Sequence, residues 1–279
     1  MVSVAGAQRR EWNAALEDEI FALVAARYAP NLPPKAQQEP RGPETAEEVD
    51  HIVEYIARLC AHDTFIVQVC AKAIDRLVSD ADFQHKLARQ IGDDGHHAVL
   101  ARDSLQVLTG QDQIDKVEAY TREHWDLLGD LPYRDWFGFA AFQLHYELHI
   151  QPRLKAESRT AKLRYRALSK NFKSHYAAED EAGDELVHRI YVVEWLQKKF
   201  AAAAPAERIE WRKRLLDADE EVQRRLNPYL RWRLQNGGLA WQGDTTNGVA
   251  LYDAHRREVL SYLLETPVDE LPALTSLAA

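Results

Sequence analysis

Four segments of this chain carry apolar residues at alternating spacings of three and four, and in each an acid stands where a leucine or isoleucine would be expected. The first runs Ile52, Ile56, Leu59, Asp63, Ile66, Cys70, Ala73 and Leu77, and the second Phe83, Leu87, Gln90, Asp94, His97, Ala101 and Leu108. The third is Tyr133, Phe137, Ala140, Leu144, Glu147, Gln151 and Leu154, and the fourth Ala178, Glu181, Glu185, His188, Val192 and Trp195. This spacing is the signature of helices that turn one face inward. Alternating apolar runs with turn signals, the pattern of a sheet, do not appear. The expected fold is therefore all-α, with carboxylates aimed at the interior of a helix bundle.

An ionised carboxylate is costly to bury unless it is paired, neutralised or bound to a metal. No lysine or arginine stands on these seams at the level of the acids. Two acids do begin the pattern acid-x-x-His, Asp94 to His97 and Glu185 to His188. Residues three apart on a helix share a face, so each pair aims a carboxylate and an imidazole the same way. One carboxylate from each of two helices plus an acid-x-x-His from each of two others is the ligand set of a dinuclear iron or manganese bundle. Asp63 precedes Asp94 by 31 residues, a spacing that brings them level in a helical hairpin. Glu147 precedes Glu181 by 34 and Glu185 by 38, so either acid satisfies the second hairpin and the choice stays open.

Local signals divide the 279 residues into an N-terminal helix and proline-rich arm (1–44), a four-helix segment (45–200) and a helical extension (201–279). The reading places helices at about 11–28, 45–78, 82–108, 112–127 and 133–157, the last bent at Pro152. A fourth long helix ends near Phe200, another covers about 206–235 with a break at Asn227-Pro228, and a last one lies near 252–264. A net charge of −9 disfavours non-specific nucleic-acid or anionic-membrane binding. The start, MVSVAGAQRREW, lacks the apolar core of a signal peptide, so a cytoplasmic location is expected. Cys60 and Cys70, ten residues apart on one expected helix, stand roughly 15 Å from each other and cannot pair.

On these residues the chain resembles the ferritin-like di-iron carboxylate superfamily, above all its oxygenase branch. DELVH (184–188) looks like the Asp-Glu-x-x-His motif of bacterial multicomponent monooxygenase hydroxylases, and DDGHH (93–97) like the same motif with Asp94 in place of Glu. The resemblance covers about 45–200. It implies two iron ions, or manganese, held by Asp63, Asp94, His97, Glu147, Glu185 and His188, with dioxygen as co-substrate and a small organic substrate to be hydroxylated, epoxidised or N-oxygenated. DEAGD (180–184) is similar to a motif of phenylacetyl-coenzyme A epoxidase-like proteins. Glu181 is thus an alternative ligand, or a seventh one as in arylamine N-oxygenases. A reductase or ferredoxin electron donor and a second copy of the chain are the expected partners. The alternative is a non-catalytic di-iron or structural subunit of an oxygenase complex.

Two further departures bear on this. Asp63 and Asp94 are shorter than the glutamates of the pattern, and Gly92 and Gly95 are read as allowing a closer helix approach. Gln151 stands where such oxygenases carry Thr. His96 replaces His97 if the helix phase slips by one. Among other candidates, His62 and His175 are read as surface groups or supports of the site, and His145 and His149 as helix or subunit contacts facing away from Glu147. Tyr146, Tyr176 and Trp195 are core or pocket aromatics, and the basic stretch around Arg224 is a charged helix face.

Overall fold

The structure, a computed structural model, describes residues 10–28, 30, 45–149, 180–236 and 246–273. Among them every regular element is helical and none is a strand. In chain order they are α1 (Ala14–Tyr28), α2 (Ala46–Arg76), α3 (Ala81–Thr109), α4 (Ile114–Leu128), α5 (Leu131–Arg134) and α6 (Trp136–Gln143). α6 passes directly into a π turn, Leu144–Leu148; then come α7 (Asp180–Ala202), α8 (Pro205–Asn236), α9 (Thr246–Leu264) and a 3-10 turn, Val268–Glu270.

The α2–α3 hairpin follows from its seam. Ile52, Leu59, Ile66, Cys70 and Ala73 are buried on one side, Phe83, Leu87 and Ala101 on the other. Each large apolar side chain so buried contributes about 1.5–3 kcal/mol. Asp80 starts α3 by accepting a hydrogen bond from the Asp82 amide at 3.1 Å, and Gly110 stops it in the left-handed region at φ 72°. Both cysteines are buried and free.

α6 begins where Asp135 accepts from the amides of Phe137 and Gly138, both at 2.9 Å. A Cβ on Gly138 would stand 2.1 Å from the Leu131 carbonyl oxygen, so only glycine fits where α5 turns into α6. Phe65 of α2 meets Phe142 and Tyr146, and Phe83 of α3 stacks on Trp195 of α7 with centroids 4.5 Å apart. Trp195 is thus a packing residue.

One hydrophobic core runs from Trp12 to Leu271 and includes side chains of α1, α8 and α9. The expected break at Asn227-Pro228 is corrected: α8 continues through Pro228. Proline removes one backbone hydrogen bond from a helix interior, but Leu226, Tyr229 and Leu230 around it are buried and hold the helix to the core. The basic stretch is not simply a solvated face either, since Arg233 is buried and bonded to the Tyr229 hydroxyl. Among the described residues no helix is long and apolar enough to cross a membrane.

α1 is tied to α7 by a buried ion pair. Arg189 donates from Nε and one Nη to the two carboxylate oxygens of Glu17 at 2.7 and 2.9 Å, and Trp12 Nε1 donates to the same carboxylate at 2.8 Å. Truncating one partner strands the other charge in the core, so Glu17→Ala should destabilise the protein by about 3–5 kcal/mol. Urea denaturation would check this, and a loss under 1 kcal/mol would mean the pair is solvated.

Candidate metal centre

The five residues Asp94, His97, Glu147, Glu185 and His188 converge from α3, the π turn and α7. Asp94, His97 and Glu185 each offer one ligand atom, all within 4.8 Å of one another, and so do Asp94, Glu147 and His188. Asp94 belongs to both triplets. Its Oδ1 lies 3.9 Å from His97 Nδ1 and 4.0 Å from His188 Nδ1. Glu185 Oε1 is 3.7 Å from His97 Nδ1, and Glu147 Oε2 is 3.9 Å from His188 Nδ1. Two donor atoms bound to one ion at about 2.1 Å each stand no more than about 4.2 Å apart, so each gap has the width of a shared cation.

His96 is exposed and His97 buried, which places His97 on the inner face. Asp63 is buried and acts on the charges of Asp94 and Glu147, but it belongs to neither triplet. The Glu181 side chain, Gln151, His175 and Tyr176 lie outside the described residues. Gly92 and Gly95 are not demanded by a close helix approach: a Cβ at Gly92 would meet nothing within 4 Å, and at Gly95 only Val67 at 3.9 Å.

The electrostatics fit a missing positive charge. Burial, then the charges of Glu147 and Glu185, push the Asp94 carboxyl well above the usual carboxylate range. Burial and Glu185 do the same to Glu147. Burial also acts upward on Glu185, but His188, the contact with Glu147, Arg189 and His97 outweigh it and bring it below its ordinary value. Burial lowers His188, which keeps the imidazole neutral, as a metal ligand must be. Both Asp94 oxygens, Glu147 Oε2 and His188 Nδ1 are buried without a hydrogen bond. Four such atoms facing one spot would be costly in a purely structural core. Arg189 corrects the expectation that no cation stands at this level: burial lowers its pKa, but Glu17, Glu185 and Glu147 raise it more. Its guanidinium is spent on Glu17.

Residues around the centre hold it in place, among them Asp93 and Asp184 of the two sequence motifs. His188 Nε2 bonds to Asp93 Oδ2 at 3.1 Å, and His97 Nε2 faces Asp184 Oδ2 at 3.7 Å. Asp93 of α3 thus orients the imidazole of α7, Asp184 of α7 stands beside that of α3, and both leave Nδ1 turned inward. Arg89 lies over both, 3.3 Å from Asp93 and 3.6 Å from Asp184. Gln90 Nε2 donates to Glu147 Oε1 at 2.7 Å, and Gln143 Nε2 donates to Gln90 Oε1 at 3.1 Å. Gln90 already stood on the apolar stripe, an available signal.

The π turn that carries Glu147 sends its neighbours elsewhere. Tyr146 stacks on His62 at 4.6 Å and hydrogen-bonds to His124 Nδ1 at 2.7 Å. His62 is buried, not a surface group. His145 and His149 turn to α8, where their Nε2 atoms lie 3.2 and 2.9 Å from Asp219 Oδ1. These three could also hold a metal by geometry. However, the Asp219 carboxylate is already paired with the buried Arg256, and His145 Nδ1 bonds to the Tyr252 hydroxyl at 2.6 Å. The distances are those of hydrogen bonds, and Arg256 already supplies the cation of this cluster. No protein-family model, curated protein or solved structure matches this chain.

Proposed function

We propose that the chain is a ferritin-like dimetal carboxylate protein and a non-haem di-iron oxygenase acting on a small organic substrate. The metal-holding bundle is formed by α2, α3, α6 with its π turn, and α7. The observation that carries this reading is the pair of buried ligand triplets joined at Asp94. Carboxylate and imidazole donors suit iron or manganese, with no thiolate to favour softer ions. His97 and Glu185 would hold one ion and Glu147 and His188 the other, with Asp94 between them. Two irons bound there would supply electrons and Lewis acidity for dioxygen activation.

The chain's own residues do the rest. Asp93 and Asp184 keep His188 and His97 with Nδ1 free to ligate, and Gln90 holds one oxygen of Glu147 so that the other faces inward. Burial of Asp94, Glu147 and His188 keeps bulk water from the donors. An external reductase or ferredoxin, a homodimeric assembly and a cytoplasmic setting belong to the same reading.

Anaerobic loading with ferrous iron followed by elemental analysis should give close to two ions per chain. A stoichiometry of zero or one would overturn the proposal. Dioxygen consumption by the reduced, loaded protein separates the oxygenase from a non-catalytic dimetal subunit, which would bind both ions and leave dioxygen untouched.

A further inference from the structure

A cleft of about 400 Å³ opens between α2, α3 and α4, within the size range of small-molecule sites. Its floor and walls include Cys60, Thr64, Ala98, Val117, Thr121 and Trp125. Ala98 follows Asp94 by four residues on α3, so it stands about 40° round the helix and about 6 Å along it. Thr64 follows Asp63 on α2 in the same way that Ala98 follows His97 on α3. The cleft therefore reaches within one helical turn of the carboxylate–histidine centre. Small side chains predominate beside it: Ala57, Cys60, Ala61 and Ala101 share a buried cluster with Val53, Leu105 and Val117, and Ala98 packs against it.

The polar groups of the floor and inner walls are already used within the protein. Thr64 Oγ1 donates to the Cys60 carbonyl at 2.7 Å, and Thr121 Oγ1 to the Val117 carbonyl at 2.9 Å. Cys60 Sγ donates to the Ala98 carbonyl at 3.2 Å, and Trp125 Nε1 to Gln68 at 2.6 Å. At the rim Arg102 is spent on Asp112, and Arg122 stands 3.8 Å from Glu118. Burial and the charge of Asp63 push the Cys60 thiol up to about 12, so the floor stays neutral. A cleft with no unspent donor at its floor gives nothing to an ionic ligand and rewards an apolar one.

We infer that this cleft takes a small uncharged apolar molecule, one helical turn from the dimetal centre, as the substrate class of the proposed activity. The link to the centre rests on the dimetal reading; the binding itself does not.

The test uses the full chain with indole as probe and benzoate as its charged counterpart. Equilibrium dialysis should find one indole per chain and benzoate bound at least about tenfold more weakly, a difference of about 1.4 kcal/mol. Ala98→Phe fills the cleft and should weaken indole binding by about tenfold or more while both metal ions remain. If that variant fails to fold, Val99→Trp, at an exposed position on the rim, serves in its place. In cobalt-loaded protein, indole should shift the visible absorption bands of the wild type and leave those of the filled variant unmoved. Absent indole binding, equal benzoate binding, undiminished binding by the filled variant, or an unshifted cobalt spectrum would each overturn the inference. Failure of cobalt to bind would instead sink the dimetal reading, and the dialysis would still decide the cleft.

Discussion

Glu147→Gln should empty the centre of metal and yet make the metal-free protein more stable. Glu147 is buried, one oxygen is held by Gln90, and the other lies 3.9 Å from His188 Nδ1. Glutamine keeps the shape and the bond from Gln90 but cannot supply an anionic ligand. It also removes the charge that contributes most, after burial, to holding Asp94 out of its ionised form. The expected gain in metal-free stability at neutral pH is about 1 kcal/mol or more, since one unit of pKa is worth about 1.4 kcal/mol. His149→Ala should do the reverse: both ions stay, and stability falls by about 1–3 kcal/mol because Asp219 loses a buried donor. Elemental analysis and urea denaturation of the two variants measure both effects. Metal loss in the His149 variant with retention in the Glu147 variant would place the centre on the wrong face of the π turn.

Metal loading should reverse the pH dependence of stability. In the metal-free protein Asp94 and Glu147 titrate above their unfolded values of about 3.9 and about 4.3. The native state then binds more protons than the unfolded chain, so their contribution is complete below those values and is lost as pH rises through the folded ones. Glu185 is shifted the other way, and its contribution is lost only as pH falls below about 4.3. On the neutral side these two carboxylates therefore make metal-free stability decline with rising pH, while His188, His124 and His149, whose pKa values burial lowers, oppose them as pH falls below about 6.5. Metal ligation needs the same carboxylates deprotonated, so affinity climbs as pH rises. At a hundredfold excess over the dissociation constant each ion adds about 2.7 kcal/mol, and for a chain of this size that is a rise in Tm of roughly 5–10 °C. Calorimetry at about pH 6 and about pH 8, with and without ferrous iron or manganese under anaerobic conditions, should show the increment growing with pH. An increment that shrinks with pH would mean that the carboxylates are not ligands.

The α2–α3 seam was legible because its amphipathic period is clean: every inward position from Phe83 to Ala101 is buried, Asp94 and His97 included. The segment before Glu147 was less so. WFGFAAFQLHYEL is apolar on all sides, so periodicity carries little register information there, and the π turn leaves no local mark. Partners supplied across the fold were out of reach. Arg189 sits one residue past a ligand and finds Glu17, 172 positions away. His149 finds Asp219, 70 positions away. Pro228 misled for the opposite reason, since a strong local signal gave way to tertiary packing.

The exchange of carboxylates between α3 and α7 ties the two ligand sets to a single mechanical variable. Asp93 holds the imidazole of α7 while Asp184 faces the imidazole of α3, so a slip of either helix along the other by one residue breaks both contacts together. An ion held between His188 and Glu147 would align α7 and thereby set Glu185 for the neighbouring position. A second ion would then meet a site already arranged, and its binding would cost less ordering than the first. Under limiting iron the population should divide into empty and doubly loaded chains, with the half-filled species scarce, a distribution that native mass spectrometry can count directly.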